Sequence, residues 1–215
     1  MITELVSVPV SPGGTALAGD LHVPEYARTV VLFAHGSGSS RHSPRNRAVA
    51  GALQEAGLGT LLLDLLTEDE ERVDEATAQH RFDIGLLGRR LTAAVDWLAG
   101  HPGTARLSVG LFGASTGAAA ALVAAAERPE RTASVVSRGG RPDLAGAALP
   151  GVRAPVLLVV GGADTEVLRL NREAARQLRC PHELSVVRGA THLFPEPGAL
   201  EQVAALASDW FRSRG

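Results

Sequence analysis

Three side chains able to share a nucleophilic reaction occur in the order Ser115, Asp164, His192, each closing or centring a glycine-rich stretch. A serine hydroxyl is a weak nucleophile near neutral pH. It needs a base to take its proton, and the base needs a carboxylate to orient it. Ser115 stands in Gly113-Ala114-Ser115-Thr116-Gly117, Asp164 ends Gly161-Gly162-Ala163-Asp164, and His192 ends Gly189-Ala190-Thr191-His192. Singly, each has an ordinary explanation: a glycine-punctuated turn, a helix cap and a surface loop histidine. As a set, in this order, they suit attack on a carbonyl through a nucleophile elbow.

The elements that must position them can be read from apolar runs. Leu107 to Phe112 is a short buried strand, and an alanine-rich helix starts directly after Ser115. Such a sharp turn requires small residues two before and two after the serine. The helix start presents free N–H groups at the same spot, which makes the Thr116 amide one donor for a developing oxyanion. The second donor is expected from His35-Gly36-Ser37-Gly38, most simply the Ser37 amide. This Gly/Ser loop also invites comparison with a phosphate cradle. However, a G-x-G-x-x-G pattern would need a small residue where Arg41 stands. A solvated loop without a role is the remaining alternative.

Residues 3–10 and 16–23 read as a hairpin joined by Ser11-Pro12-Gly13-Gly14. Buried strands follow at 29–34, 60–64, 132–137, 155–160 and 182–187, with helices over 46–56, 81–99, 166–178 and 198–214. Thr67 to Ala78, rich in Asp and Glu, reads as a solvated excursion that could drape over a site. The pattern predicts an α/β fold: a doubly wound, mostly parallel sheet of about eight strands with an antiparallel N-terminal hairpin. One domain over residues 1–215 is expected. In such sheets ligands bind beyond the carboxyl ends of the strands, the edge that carries Ser115, Asp164, His192 and the 35–38 loop. The short 138–154 span leaves little room for a cap domain, so an open pocket for small acyl groups is expected.

Composition narrows the chemistry. All 21 basic residues are arginine, which removes Schiff-base, Walker and Ser-x-x-Lys chemistry. Cys180 is the single cysteine, so no intrachain disulfide or cysteine-based metal site can form. A net charge of −2 argues against nucleic acid or an anionic membrane as partner. No apolar run is long enough to span a bilayer, and no secretory pattern opens the sequence, so a cytoplasmic protein is expected. Exposed sheet edges would allow a homodimer.

With these motifs in place, the combination His35-Gly36, Gly113-Ala-Ser-Thr-Gly117, Gly161-Gly-Ala-Asp164 and Gly189-Ala-Thr-His192 resembles the α/β-hydrolase superfamily, most closely the dienelactone hydrolase-like group. The resemblance runs from about Val30 to the last helix. It implies Ser115 as nucleophile, Asp164 as acid, His192 as base, oxyanion amides at Ser37 and Thr116, and no metal or cofactor. It also implies that some relatives are fused to a phosphoribosyltransferase domain, which this sequence is expected to lack. Dienelactone hydrolases proper carry a cysteine nucleophile. The serine here favours a general ester, thioester or lactone.

Around the same edge, His35, Gly36, Arg41, Arg138, Arg141 and Phe194 are candidate substrate contacts. Arg41, Arg45, Arg138 and Arg141 could recognise a carboxylate or phosphate, or could pair with Asp64, Asp143 or the acidic segment. Phe194 could pack in the core instead. Asp64 could be an alternative acid, a helix cap, or a pin for the loop carrying Arg41 and His42. The expected activity is hydrolysis of a small-molecule acyl substrate through an acyl-serine. Transfer of the same acyl group to an alcohol or amine, and non-catalytic binding on this scaffold, are the alternatives.

Overall fold

The computed structural model describes residues 1–214. Its sheet has eight strands, introduced here in chain order: β1 (Ile2–Pro9), β2 (Ala16–Val23), β3 (Thr29–Ala34), β4 (Gly59–Leu63), β5 (Ser108–Ala114), β6 (Thr132–Arg138), β7 (Val156–Gly161) and β8 (His182–Val187). Their spatial order is β1-β2-β4-β3-β5-β6-β7-β8. The β1–β2 and β2–β4 pairs are antiparallel, and every later pair is parallel. β3, β4 and β7 are buried along their whole length, as strands covered on both faces must be.

The described residues also form six α-helices: α1 (Pro44–Glu55), α2 (Glu68–Thr77), α3 (Ile84–Gly100), α4 (Thr116–Glu127), α5 (Thr165–Ala175) and α6 (Ala199–Arg212). Alternation of side chains along the strands divides the core in two. Leu32, Leu61, Leu111, Val135 and Leu158 face α3, α4 and α5. Phe33, Leu62, Phe112, Val136 and Val159 face α1 and α6. The alanines of α4 are almost all fully buried, so the helix lies close on the sheet behind Ser115.

Two segments carry structure beyond the sequence reading. The acidic stretch is a helix, α2, not an irregular excursion. The Thr67 hydroxyl accepts from the Glu70 N–H while the Glu70 carboxylate accepts from the Thr67 N–H, a reciprocal cap. Asp74, within it, is buried and accepts from the N–H groups of His80 and Arg81 and from the Arg81 Nε. Its buried carboxylate therefore fixes the turn into α3. The second segment lies between β6 and β7, where Pro142–Gly151 forms 3-10 turns that bury Ala145 and Leu149. That short stretch is the whole of the connection's regular structure, in line with a fold lacking a large cap.

Candidate active site

β5 ends at Ala114 and α4 begins at Thr116, so Ser115 alone makes the turn. Its backbone sits at φ 50°, ψ −121°, a conformation that costs an L-residue on the order of 1–3 kcal/mol. The neighbouring glycines permit it. A Cβ on Gly113 would stand 2.4 Å from the Cα of Ala118, and one on Gly117 would stand 2.3 Å from the carbonyl oxygen of Ala34. Both obstacles are backbone and cannot rotate away. The Ser115 N–H donates to the Arg138 carbonyl at 3.3 Å, and the Arg141 N–H donates to the Ser115 carbonyl at 3.0 Å, tying the elbow to the end of β6. The Ser115 hydroxyl is not spent on capping α4.

Asp164 occupies the N-cap position of α5, but its side chain makes no capping bond. It instead accepts a hydrogen bond from Nδ1 of His192 at 2.7 Å. A histidine that donates from Nδ1 keeps Nε2 as its basic nitrogen when neutral. The two loops are pressed together by backbone: the Gly162 N–H donates to the Val187 carbonyl at 2.8 Å and the Ala163 N–H to the Ala190 carbonyl at 2.9 Å. A Cβ on Gly161 would stand 2.3 Å from the Ala190 carbonyl oxygen, so only glycine allows this approach.

His192 also reaches the Ser115 side of the rim. A Cβ on Gly139, the residue after Arg138, would lie 3.7 Å from His192 Cε1. Among the described residues no hydrogen bond joins the Ser115 hydroxyl to the imidazole. In nucleophile–base pairs this bond commonly tightens only when substrate is bound.

The loop after β3 runs directly over Ser115: a Cβ on Gly36 would lie 3.1 Å from Ser115 Cβ and 3.8 Å from its Oγ. His35 is buried beneath it. Its Nε2 accepts from the Leu65 N–H at 3.0 Å, which makes Nδ1 the protonated nitrogen, donating to the Gly36 carbonyl at 2.9 Å. Burial holds its pKa below the ordinary 6.5, against smaller opposing effects of the Gly36 carbonyl and Asp64. His35 is therefore a neutral strut under the loop. Ser37 is exposed on this loop, and the Thr116 amide is at the first position of α4, where helix N–H groups lack intrahelical acceptors.

The remaining rim residues divide clearly. Asp64 accepts from the Arg41 N–H at 2.7 Å and from the Arg41 guanidinium, while Asp20 lies 3.3 Å from Arg41 Nε. Asp64 thus pins the loop, and Arg41 is neutralised there. Arg141 is held by both oxygens of Asp143, at 2.9 and 2.7 Å. Phe194 is 2% exposed and packs in the core on the α1–α6 face. Arg138 is 6% exposed, and its Nε and Nη1 have no hydrogen-bond partner among the described residues.

A cavity of about 80 Å³ opens beside Ser37 and Thr116, walled by Leu65, Leu66 and Leu87 and by the acidic residues Asp64, Glu71 and Glu75. Burial, then the carboxylates of Asp64, Glu75 and Asp74, raise the Glu71 pKa. The acidic segment does drape over this cavity, but as a helix, which its composition did not suggest. The signal available was Thr67-x-x-Glu70, a capping box in plain view.

The sheet order, the elbow serine and the Asp164–His192 pair on the carboxyl edge define an α/β hydrolase. The dienelactone hydrolase family model matches residues 17–213, and the chain belongs to that family. A dienelactone hydrolase crystal structure from Anabaena variabilis is 58% identical, superimposes with a TM-score of 0.96, and covers 99% of this chain and 98% of its own. A Mycobacterium tuberculosis protein with the provisional name phosphoribosyl transferase is 58% identical over 95% of this chain and 45% of its own length. The chain therefore spans about half the length of that curated relative. A Xanthomonas campestris serine hydrolase without a lid shares the fold at 21% identity and a TM-score of 0.76, covering 98% of this chain and 94% of its own.

Proposed function

We propose that this hydrolase is a serine esterase acting on small carboxylic esters, thioesters or lactones through an acyl-enzyme on Ser115. The observation that carries the reading is the Asp164 side chain: at a helix N-cap it forgoes the capping bond and accepts from His192 instead. A carboxylate that merely capped a helix would face the α5 amides.

In the proposed reaction, neutral His192 takes the Ser115 proton at Nε2 as Oγ attacks the substrate carbonyl. The Ser37 and Thr116 amides stabilise the oxyanion. As the carbon–oxygen or carbon–sulfur bond to the leaving group breaks, His192 returns the proton to that group. Water, deprotonated by His192, then attacks the acyl-serine and releases the carboxylic acid and free Ser115. The small cavity by the oxyanion loop and the short β6–β7 connection support small acyl groups.

A fluorophosphonate probe tests the nucleophile, with p-nitrophenyl esters of increasing chain length beside it. The expected result is labelling at Ser115 that Ser115→Ala abolishes, and highest kcat/KM on the shortest esters. Normal turnover by Ser115→Ala would overturn the assignment.

A further inference from the structure

The rim beside Ser115 is electrostatically two-sided. On the α3–α4 side the cavity is acidic, lined by Asp64, Glu71, Asp74 and Glu75 with a single arginine, Arg81, which is paired to Asp74. The α1–α6 side is basic. Arg138 ends β6 in register with Ala114, the residue before Ser115. Strand alternation places its side chain on the same face as Val136, towards α1. There it meets the charge of Arg45 in the first turn of α1.

This cluster lacks the counter-charges that a structural role would supply. Arg138 Nε and Nη1 and Arg45 Nε are buried without a hydrogen-bond partner among the described residues. The carboxylates at this end of the sheet serve other groups: Asp64 and Asp20 hold Arg41 and Arg47, Asp143 holds Arg141, and Asp164 holds His192. The first turn of α1 contains no acidic residue, although a helix N-terminus favours one. The buried Asn46 in that turn likewise leaves its Oδ1 unpaired. Burial, and secondarily Arg45, draw the Arg138 pKa down to about 10, so the Arg138 guanidinium stays charged at neutral pH. A buried cation without a partner is strongly destabilising, and removing it would be expected to stabilise the fold.

We propose that Arg138 and Arg45 form a subsite for a dianionic phosphoryl group, placing a phosphate-bearing substrate against Ser115. Two guanidinium groups at a helix N-terminus match a dianion better than a single carboxylate, and guanidinium donors suit tetrahedral phosphoryl oxygens. The acidic cavity on the opposite side repels the same group and so sets the direction in which the substrate lies. This assignment deepens the esterase reading and rests on it for the identity of the nucleophile.

The test is calorimetric titration with inorganic phosphate at pH 8, where the dianion dominates, paired with inhibition of p-nitrophenyl acetate hydrolysis. Saturable binding of one phosphate per chain is expected, competitive with the ester. Affinity should fall at least about tenfold in Arg45→Gln and in Arg138→Met, and acetate should bind at least about tenfold more weakly than phosphate. A p-nitrophenyl ester of 3-phosphonopropionate, preferred over the butyrate ester by wild type, would place the phosphoryl group on the substrate.

Arg138→Met is also expected to raise the melting temperature while losing the extra stabilisation that phosphate confers on wild type. Arg45→Gln, at a half-exposed helix start, checks the site independently of the core. No saturable phosphate binding, binding unchanged in both variants, binding that does not compete with the ester, or acetate binding as tightly as phosphate would each overturn the proposal. Phosphate binding retained in Ser115→Ala separates this outcome from failure of the esterase reading, which Ser115→Ala turnover measures alone.

Discussion

Replacing Asp164 with asparagine separates the relay from the fold. The carboxylate accepts a hydrogen bond from His192 Nδ1 at 2.7 Å and makes no capping bond to α5, so its charge is used on the imidazole. With charge centres about 4 Å apart and an effective dielectric near 20, the attraction to an imidazolium formed during reaction is about 4 kcal/mol. The His192 side chain is 39% exposed, and water screening reduces this to about 2 kcal/mol. That alone lowers kcat about 30-fold. Asparagine can also hold the imidazole in the wrong tautomer, which extends the expected loss towards about 10⁴-fold. Because no cap bond is lost, the melting temperature should move by less than about 4 °C. The assay is kcat on p-nitrophenyl acetate beside a thermal melt. A loss of less than about fivefold in a folded variant would refute the argument that this carboxylate supports the base.

Other consequences follow from single positions. Ser115→Gly should abolish ester turnover yet raise stability by about 1 kcal/mol, because glycine occupies the φ 50° turn without strain; a melt showing no gain would count against stored strain. Gly117→Ala places a methyl carbon 2.3 Å from the Ala34 carbonyl and should destabilise the protein by about 3 kcal/mol or more, read by urea denaturation. His35, with its folded pKa below the unfolded value, binds fewer protons when folded. Its contribution is neutral above about pH 6.5, and stability should fall as pH drops below that value. A His35→Gln variant should show a weaker loss between pH 6.5 and 5; an identical slope would remove His35 as the cause.

Much of the architecture is legible in the residues. Short, β-branched apolar runs at 29–34 and 155–160 suit strands covered on both faces, and the structure has β3 and β7 there. The Gly-x-Ser-x-Gly spacing is legible because steric exclusion is local: the atoms that would clash with a Cβ at Gly113 belong to the next turn of chain. Helix α2 was not read from the sequence: a local signal exists in its capping box, but its acidity pointed to solvent and its buried Asp74 has no local signature.

By itself, then, the sequence determined the order of the elements, the turn that exposes Ser115, and which edge of the sheet carries Asp164 and His192. Those depend on short-range sterics and on periodicity. Tertiary structure alone decided the partnerships of charge. Arg41 and Arg141 met carboxylates while Arg138 and Arg45 met each other, and Asp164 turned from its own helix to an imidazole 28 residues away. Coulomb attraction and desolvation depend on distances set by packing across the whole sheet, and no local pattern of residues encodes them.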